Sequence, residues 1–424
     1  MSERLAGTSW HRPWALLAGA LAVLAGAVAA GAAEVPLDLE GPAAATPWQR
    51  YPGWPTTRWP GFSTLADTTR SPSPPAPGAL RPVVAPIAGD PVKGRKLAFD
   101  RSRGGACVAC HVMGPDTPEL PGNVGPDLSE IGKADRSDEY LFNYVWDARV
   151  YNPETVMPPW GAHGYYDAAE IGDIVAFLKT LDRPASFANP LDDPARRPVP
   201  VEDRDWTDPF VNPAQEDVAT GAGLFEEPGP SGRSCAACHA DPKTAFRSWA
   251  AHMPRWEPRL GKVLGVAEFV TRHARPTTGA EWPMESTENL AMTVYLTSLA
   301  DGERIAVDTT SPGAKEAAER GRRLMETKIG QANFACTDCH GLGKGAGRWI
   351  RGQYLGETPG QVAHFPTWRT SRNQTWDIRK RLQWCNVQIR ADDLPPDAAA
   401  YGELELYLTS LSNGMELAAP GIRH

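Results

Sequence analysis

Three times along this chain two cysteines stand three residues apart, with a histidine directly after the second. The motifs are Cys107-Val-Ala-Cys110-His111, Cys235-Ala-Ala-Cys238-His239 and Cys336-Thr-Asp-Cys339-His340. Two thiols at this spacing add to the two vinyl groups of one porphyrin, and the adjacent imidazole reaches its iron. A zinc reading needs paired cysteine knuckles close together. Here the pairs lie about a hundred residues apart, and a redox disulfide has no need of a histidine in all three. The motifs therefore predict three covalently bound haem c groups, with Cys107, Cys110, Cys235, Cys238, Cys336 and Cys339 as attachment points. His111, His239 and His340 are the proximal iron ligands.

The motifs recur in a repeat. Each unit opens on a glycine and a helix start: Gly94-Arg95-Lys96-Leu97, Gly221-Ala222-Gly223-Leu224 and Gly321-Arg322-Arg323-Leu324. The first cysteine follows 13 to 15 residues later. Each unit closes on apolar residues at helical spacing. These are Ile174, Phe177, Leu178 and Leu181; then Met292, Tyr295, Leu296 and Leu299; then Leu404, Tyr407, Leu408 and Leu411. The pattern predicts an all-α fold of three tandem cytochrome c domains over 91–185, 216–303 and 304–424. Each is small enough to need the support that covalent haem gives. With 41 Pro and 40 Gly in 424 residues, long irregular linkers are expected as well. Residues 34–90 read as a Pro-rich arm and 186–215 as a Pro/Asp-rich linker.

Residues 1–33 read as an export signal. Arg4, His11 and Arg12 precede an uncharged apolar run over 14–33, which ends in Ala30-Gly31-Ala32. That small-residue end favours cleavage, and the competing reading is an uncleaved membrane anchor. Either way the folded part is expected in the periplasm. A net charge of -8 lacks the basic footprint of a nucleic-acid partner.

The second iron ligand decides what each haem does. In the first domain Met157 is the candidate, because Pro158 and Pro159 fix an extended loop behind it. Met113 is too close to His111 to reach the far face. In the second domain His252, Met253, His273 and Met284 remain open, and Met292 sits on the helix core stripe. The third domain offers His364 and Cys385. Cys385 is the odd cysteine. The stretch from Lys344 to Arg390 carries nine basic and two acidic residues within a chain of negative net charge. Positive charge favours the thiolate and attracts an anion, and guanidinium forks match oxyanions.

The chain resembles a fusion of the two subunits of the SoxXA cytochromes of bacterial thiosulfate oxidation. Residues of about 91–185 resemble SoxX through the haem motif, Pro121-Gly122-Asn123-Val124-Gly125-Pro126-Asp127-Leu128 and Met157-Pro158-Pro159. Residues of about 216–424 resemble the di-haem SoxA. That likeness rests on Gly279-Ala280-Glu281-Trp282, Phe365-Pro366-Thr367-Trp368-Arg369, Arg381-x-x-x-Cys385-Asn386 and Pro420-Gly421-Ile422-Arg423. The resemblance implies an L-cysteine S-thiosulfotransferase, which oxidatively joins thiosulfate to a cysteine of the SoxYZ carrier. It implies Cys385, found in the family as a persulfide, as a haem ligand and catalytic residue, with Arg381 catalytic beside it. Arg390 or Arg351 is expected to help hold the substrate. Electrons are expected to leave through the His111/Met157 haem to a small cytochrome c. Alignment on Gly279-Ala280-Glu281 places His273 where the family often has a cysteine, which implies a His239/His273 haem. Three rivals stand beside this reading. They are a thiosulfate dehydrogenase forming tetrathionate, a passive tri-haem electron carrier, and a peroxidase-like enzyme with an open iron site.

Overall fold

The computed structural model describes residues 34–45, 62–68, 75–103, 106–200, 208 and 210–423. The expected export signal lies outside the described residues up to position 33. Among the described residues no helix is long and apolar enough to cross a membrane.

Eleven α-helices form the frame of the described residues. They are α1 (Pro91–Phe99), α2 (Asp138–Asp147), α3 (Ala168–Leu178), α4 (Ala214–Glu226), α5 (Pro242–Phe246), α6 (Val266–Thr278), α7 (Thr287–Ser298), α8 (Pro312–Glu326), α9 (Cys336–His340), α10 (Ile378–Gln388) and α11 (Ala399–Ser410). Local sequence explains where they start. Asp90 caps α1, with Pro91 at the first helical position. Asp167 and Glu170 form a reciprocal capping box on α3. Ser286 caps α7 and Asp377 caps α10.

Three helix pairs repeat the same crossing: α1 on α3, α4 on α7, and α8 on α11. The glycine that opens each sequence repeat sits at the crossing. A Cβ on Gly94 would stand 1.9 Å from the Asp173 carbonyl oxygen, on Gly221 2.3 Å from that of Ala291, and on Gly321 2.1 Å from that of Glu403. Any side chain there forces the helices apart, so the glycine follows from backbone-to-backbone approach. Each pair carries its own core, centred on Ile171, Ile174 and Phe177, on Phe225, Val270 and Leu296, and on Tyr401, Leu404 and Met325.

The fold is not purely helical, which amends the all-α expectation. Seven short strands lie beyond residue 254: β1 (Arg255–Glu257), β2 (Lys262–Leu264), β3 (Trp349–Ile350), β4 (Gln353–Tyr354), β5 (Thr367–Arg369), β6 (Gln374–Trp376) and β7 (Gly421–Arg423). Strands β1 and β2 pair antiparallel, as do β3 and β4. In the three-stranded sheet β6-β5-β7, the chain's last strand lies parallel to β5 and sets Arg423 opposite Arg369.

The described parts of the Pro-rich arm are laced onto the helical frame. Pro36–Ala44 runs along α6, Leu65 enters the α8/α11 core, and the Ile87 N–H donates to Asp138. The units at the two ends of the chain also meet directly. The Gln331 side chain donates to the His163 carbonyl, and the Asn123 N–H donates to the Trp349 carbonyl.

Candidate functional site

The three motif histidines sit on short turns that follow the opening helices. In the first, Cys107–Ala109 forms a tight turn whose thiols burial pushes up, Cys107 to about 12 and Cys110 to about 11. His111 Nδ1 lies 2.7 Å from the Pro126 carbonyl, and a Cβ on Gly125 would collide with the His111 ring at 2.2 Å. His340, at the end of α9, likewise donates from Nδ1 to the Gly356 carbonyl at 2.9 Å. A carbonyl only accepts, so Nδ1 carries the proton in both rings and Nε2 keeps a free lone pair. That is the tautomer a metal-bound imidazole needs.

Met157 packs against the first core, which also contains Cys107 and the fully buried Met113. Of the candidates in the second unit, the structure brings His273 to His239, with ring centres 6.3 Å apart. One iron held at about 2 Å from a nitrogen of each ring requires roughly this spacing. His252 instead bonds to the Ser248 carbonyl. Met253 packs with Leu264 and Phe269, Met284 with Ala43 and Ala267, and Met292 with Phe225. Phe225, Phe246, Trp249 and Phe269 form an aromatic wall around the two imidazoles.

Cys385 lies on α10 and joins the third motif. Burial pushes up the thiols of Cys336, to about 12, and of Cys339, and the nearby Cys385 adds to both shifts. Arg381 stands four residues earlier on the same helix, hence on the same face as Cys385. Arg369 is 8% exposed, and its Nε has no hydrogen-bond partner. Burial, with Arg381, Arg372 and Arg423 nearby, pushes Arg369 down to about 10, while Cys385 opposes that shift. The fully buried His364 is held well below its ordinary value by burial first, then by Arg423, Arg369 and Arg381. Among the described residues no carboxylate pairs with Arg369, Arg372 or Arg381.

The remaining basic residues of this stretch have other employment. Arg379 is locked between Glu268 and Glu405, Lys380 pairs with Glu285, and Lys344 with Asp338. Arg351 and Arg390, expected to help hold a substrate, have contacts of their own. Arg351 donates from its backbone to Ala109 and from its side chain to Gln388. Arg390 bonds Gln331 and lies over Tyr165. Arg369 lies close enough to Cys385 to feel its charge, and Arg423 stands opposite Arg369 in the strand register. Sequence reasoning counted Arg369 only as bulk charge and left Arg423 without a role. The strand register that joins them offered no local signal.

Comparison with known proteins fits this geometry. Residues 220–305 and 320–417 match the SoxA/TsdA cytochrome c domain, and 99–178 match subunit III of cbb3-type cytochrome c oxidase. Both matches support a SoxXA-type cytochrome. It is 28% identical over 218 residues to the L-cysteine S-thiosulfotransferase subunit SoxA of Pseudaminobacter salicylatoxidans, covering 51% of this chain and 75% of that protein. The same subunit of Allochromatium vinosum is 29% identical over 213 residues, covering 50% of this chain and 74% of that protein. The crystal structure of SoxXA from P. pantotrophus aligns with 28% identity over 51% of this chain and 80% of that chain, at a TM-score of 0.47.

Cytochrome c domains of this kind carry covalently bound haem c. The residues of this SoxXA-type cytochrome fit such a group. All seven cysteines are free of disulfides, the Nδ1 of His111 and of His340 is tied to a carbonyl, and a glycine stands flat against the His111 ring.

Proposed function

We propose that this chain is a periplasmic, tri-haem L-cysteine S-thiosulfotransferase. It oxidatively conjugates thiosulfate to a cysteine of a SoxYZ carrier and delivers the electrons to a small cytochrome c. Cys107 and Cys110, Cys235 and Cys238, and Cys336 and Cys339 each hold one haem. His111 with Met157, His239 with His273, and His340 with Cys385 would hold its iron. Haem c, when bound, supplies one-electron acceptance at each site.

The balance is one carrier thiol plus one thiosulfate dianion giving the S-thiosulfonate monoanion, one proton and two electrons. The new bond joins the carrier sulfur to the outer sulfur of thiosulfate. Arg381, Arg369 and Arg423 hold the dianion, and Cys385 presents its sulfur to it. The observation that carries this reading is a free thiol beside Arg369 and Arg381, which no carboxylate neutralises among the described residues, Arg369 being buried with an unpartnered Nε. A buried cation without a partner is costly, and an anionic substrate relieves that cost.

The matched family model spans SoxA and TsdA together, so a second reading stands: coupling of two thiosulfates into tetrathionate. Anaerobic reduction of the holoprotein by thiosulfate, with and without carrier, separates the two. Carrier-dependent reduction that disappears in Cys385→Ala is the expected outcome. Reduction without carrier favours tetrathionate formation. An unaffected Cys385→Ala variant would remove the cysteine from the chemistry and leave an electron carrier.

A further inference from the structure

The segment that follows the export signal binds to the one helix that carries His273. His273 Nδ1 lies 2.8 Å from the Pro36 carbonyl oxygen. The Asp38 N–H donates to the Arg272 carbonyl at 2.8 Å. In return the Arg272 guanidinium donates to the Asp38 and Gly41 carbonyls at 3.0 and 2.8 Å. Arg275 reaches the Asp38 carboxylate at 2.9 Å and the Pro42 carbonyl at 2.7 Å. Leu37 packs on the Met253, Leu264 and Phe269 cluster. At the far end, Asp397 accepts from the N–H groups of Ala43 and Ala44. The strap is thus fastened at both ends and along its length, and His273 is the ring it touches in the middle site.

We propose that Pro36–Ala44 is a positioning strap for the middle iron site. It fixes the tautomer and orientation of His273 and sets the strength of that ligand. This rests on the His239/His273 pairing proposed above. The Pro36 carbonyl can only accept, so Nδ1 holds the proton and Nε2 keeps the lone pair. Phe269, stacked on His273 at 5.2 Å and 18°, holds the ring plane from the helix side. The strap supplies the hydrogen bond that the helix cannot. A carbonyl acceptor on Nδ1–H also makes the imidazole a stronger donor. A stronger donor favours the oxidised metal, so the strap lowers the reduction potential of this site. Outer-shell partners of this kind typically change metal affinity or activity by about 10–100-fold. A segment that sequence reads as linker is, on this view, part of the middle site.

The test uses the full-length holoprotein and compares three variants with wild type. Asp38→Ala combined with Asp397→Ala loosens the strap by removing its carboxylate ties to Arg275 and to the Asp397 side chain, without touching His273 or any haem motif. Deletion of 36–44 removes it. His273→Ala is the reference for complete loss of the ligand. The readouts are the low-spin EPR signal assigned to the middle haem, its potential in an optical redox titration, and carbon monoxide binding to the reduced protein. The other two haems report whether each variant is folded. The expected result is a broadened or partly high-spin middle signal and a raised potential in the double variant. The deletion should be more severe, approaching His273→Ala, with one haem newly open to carbon monoxide. A double variant and a deletion with the wild-type signal and potential, while His273→Ala turns the middle haem high-spin, would overturn the strap and leave the axial pair standing. An unchanged spectrum in His273→Ala would sink the axial pair and the strap together.

Discussion

His239 and His340 each end a Cys-x-x-Cys-His motif, and their surroundings differ in kind. Around His239 the walls are aromatic and the opposite ligand candidate is a second imidazole. Two cations near it are paired, Arg272 with Glu268 and Arg275 with Asp38 and Glu281. Around His340 the opposite candidate is a thiol, and among the described residues Arg369, Arg372 and Arg381 have no carboxylate partner. The first environment suits an electron carrier. The second is held in a state of unmet charge, which is what an anion site requires. On the proposed reading one repeat unit serves transfer and another chemistry, and the difference lies in side chains that surround a shared backbone frame.

The contrast is sharpest within a single turn of α10. Arg379 and Arg381 are two residues apart, so they leave the helix on different faces. Arg379 is 2% exposed and clamped between Glu268 and Glu405, tying the third unit to the second. Replacing it with Ala strands the buried Glu405 and takes one of three cations from Glu268, so a loss of about 3–5 kcal/mol in unfolding free energy is expected. Chemical denaturation measures it. Arg381→Ala is expected to leave that quantity within about 0.5 kcal/mol, as surface substitutions away from such networks do. Similar stability losses in both variants would break the division into structural and substrate-facing cations.

The next effect is on the reaction. A charge-assisted hydrogen bond to an anion contributes about 1.5–3 kcal/mol, or roughly 10–150-fold in kcat/KM. Arg369→Ala and Arg381→Ala are each expected to fall in that range, measured as thiosulfate-driven reduction in the presence of carrier. Arg369→Lys should recover only part, since a point charge cannot reproduce a buried fork. His273→Ala should shift the middle spectrum and leave the KM for thiosulfate unchanged. A raised KM there would move the substrate toward the middle site and undo the comparison.

How much of this was legible in the sequence follows from range. The motifs, the repeat and the crossing glycines are local patterns, and the helix frame around them was readable. Placing His273 opposite His239 needed the resemblance, because a lone histidine in a helix carries no mark of what faces it. Sorting the basic residues of the Lys344–Arg390 stretch was out of reach. Their partners Glu268, Glu285 and Glu405 are distant in the chain, and Arg423 reaches Arg369 only through a parallel strand pair. The strands lie in short stretches between Pro and Gly turns, too brief for a period-2 pattern to show. The arm read as linker because Pro-rich sequence shows no periodicity whether or not it is pinned.

The smallest expected effect concerns the joint between the first unit and the third. His163 is buried, with Nδ1 bonded to the Gln331 carbonyl at 2.8 Å, while Arg149 Nη2 lies 3.4 Å from Nε2 and is itself paired with Asp147. Burial is the main reason its pKa is lowered from 6.5; Arg149 adds to the shift, whereas the Gln331 hydrogen bond and Asp147 oppose it. The native state therefore holds His163 neutral. Above about pH 6.5 the unfolded chain holds it neutral as well, and the residue contributes no slope. As pH falls below that value the unfolded chain binds a proton that the native state refuses, so stability drops with falling pH. The limit is about 1.4 kcal/mol per pH unit for one proton. His364, held lower still, adds to the same slope. Denaturation of His163→Gln between about pH 5 and 7 should show a shallower dependence than wild type by up to one proton. An unchanged slope would mean that His163 already titrates freely in the native state, and that the joint between the His111 and Cys385 units is insensitive to acid.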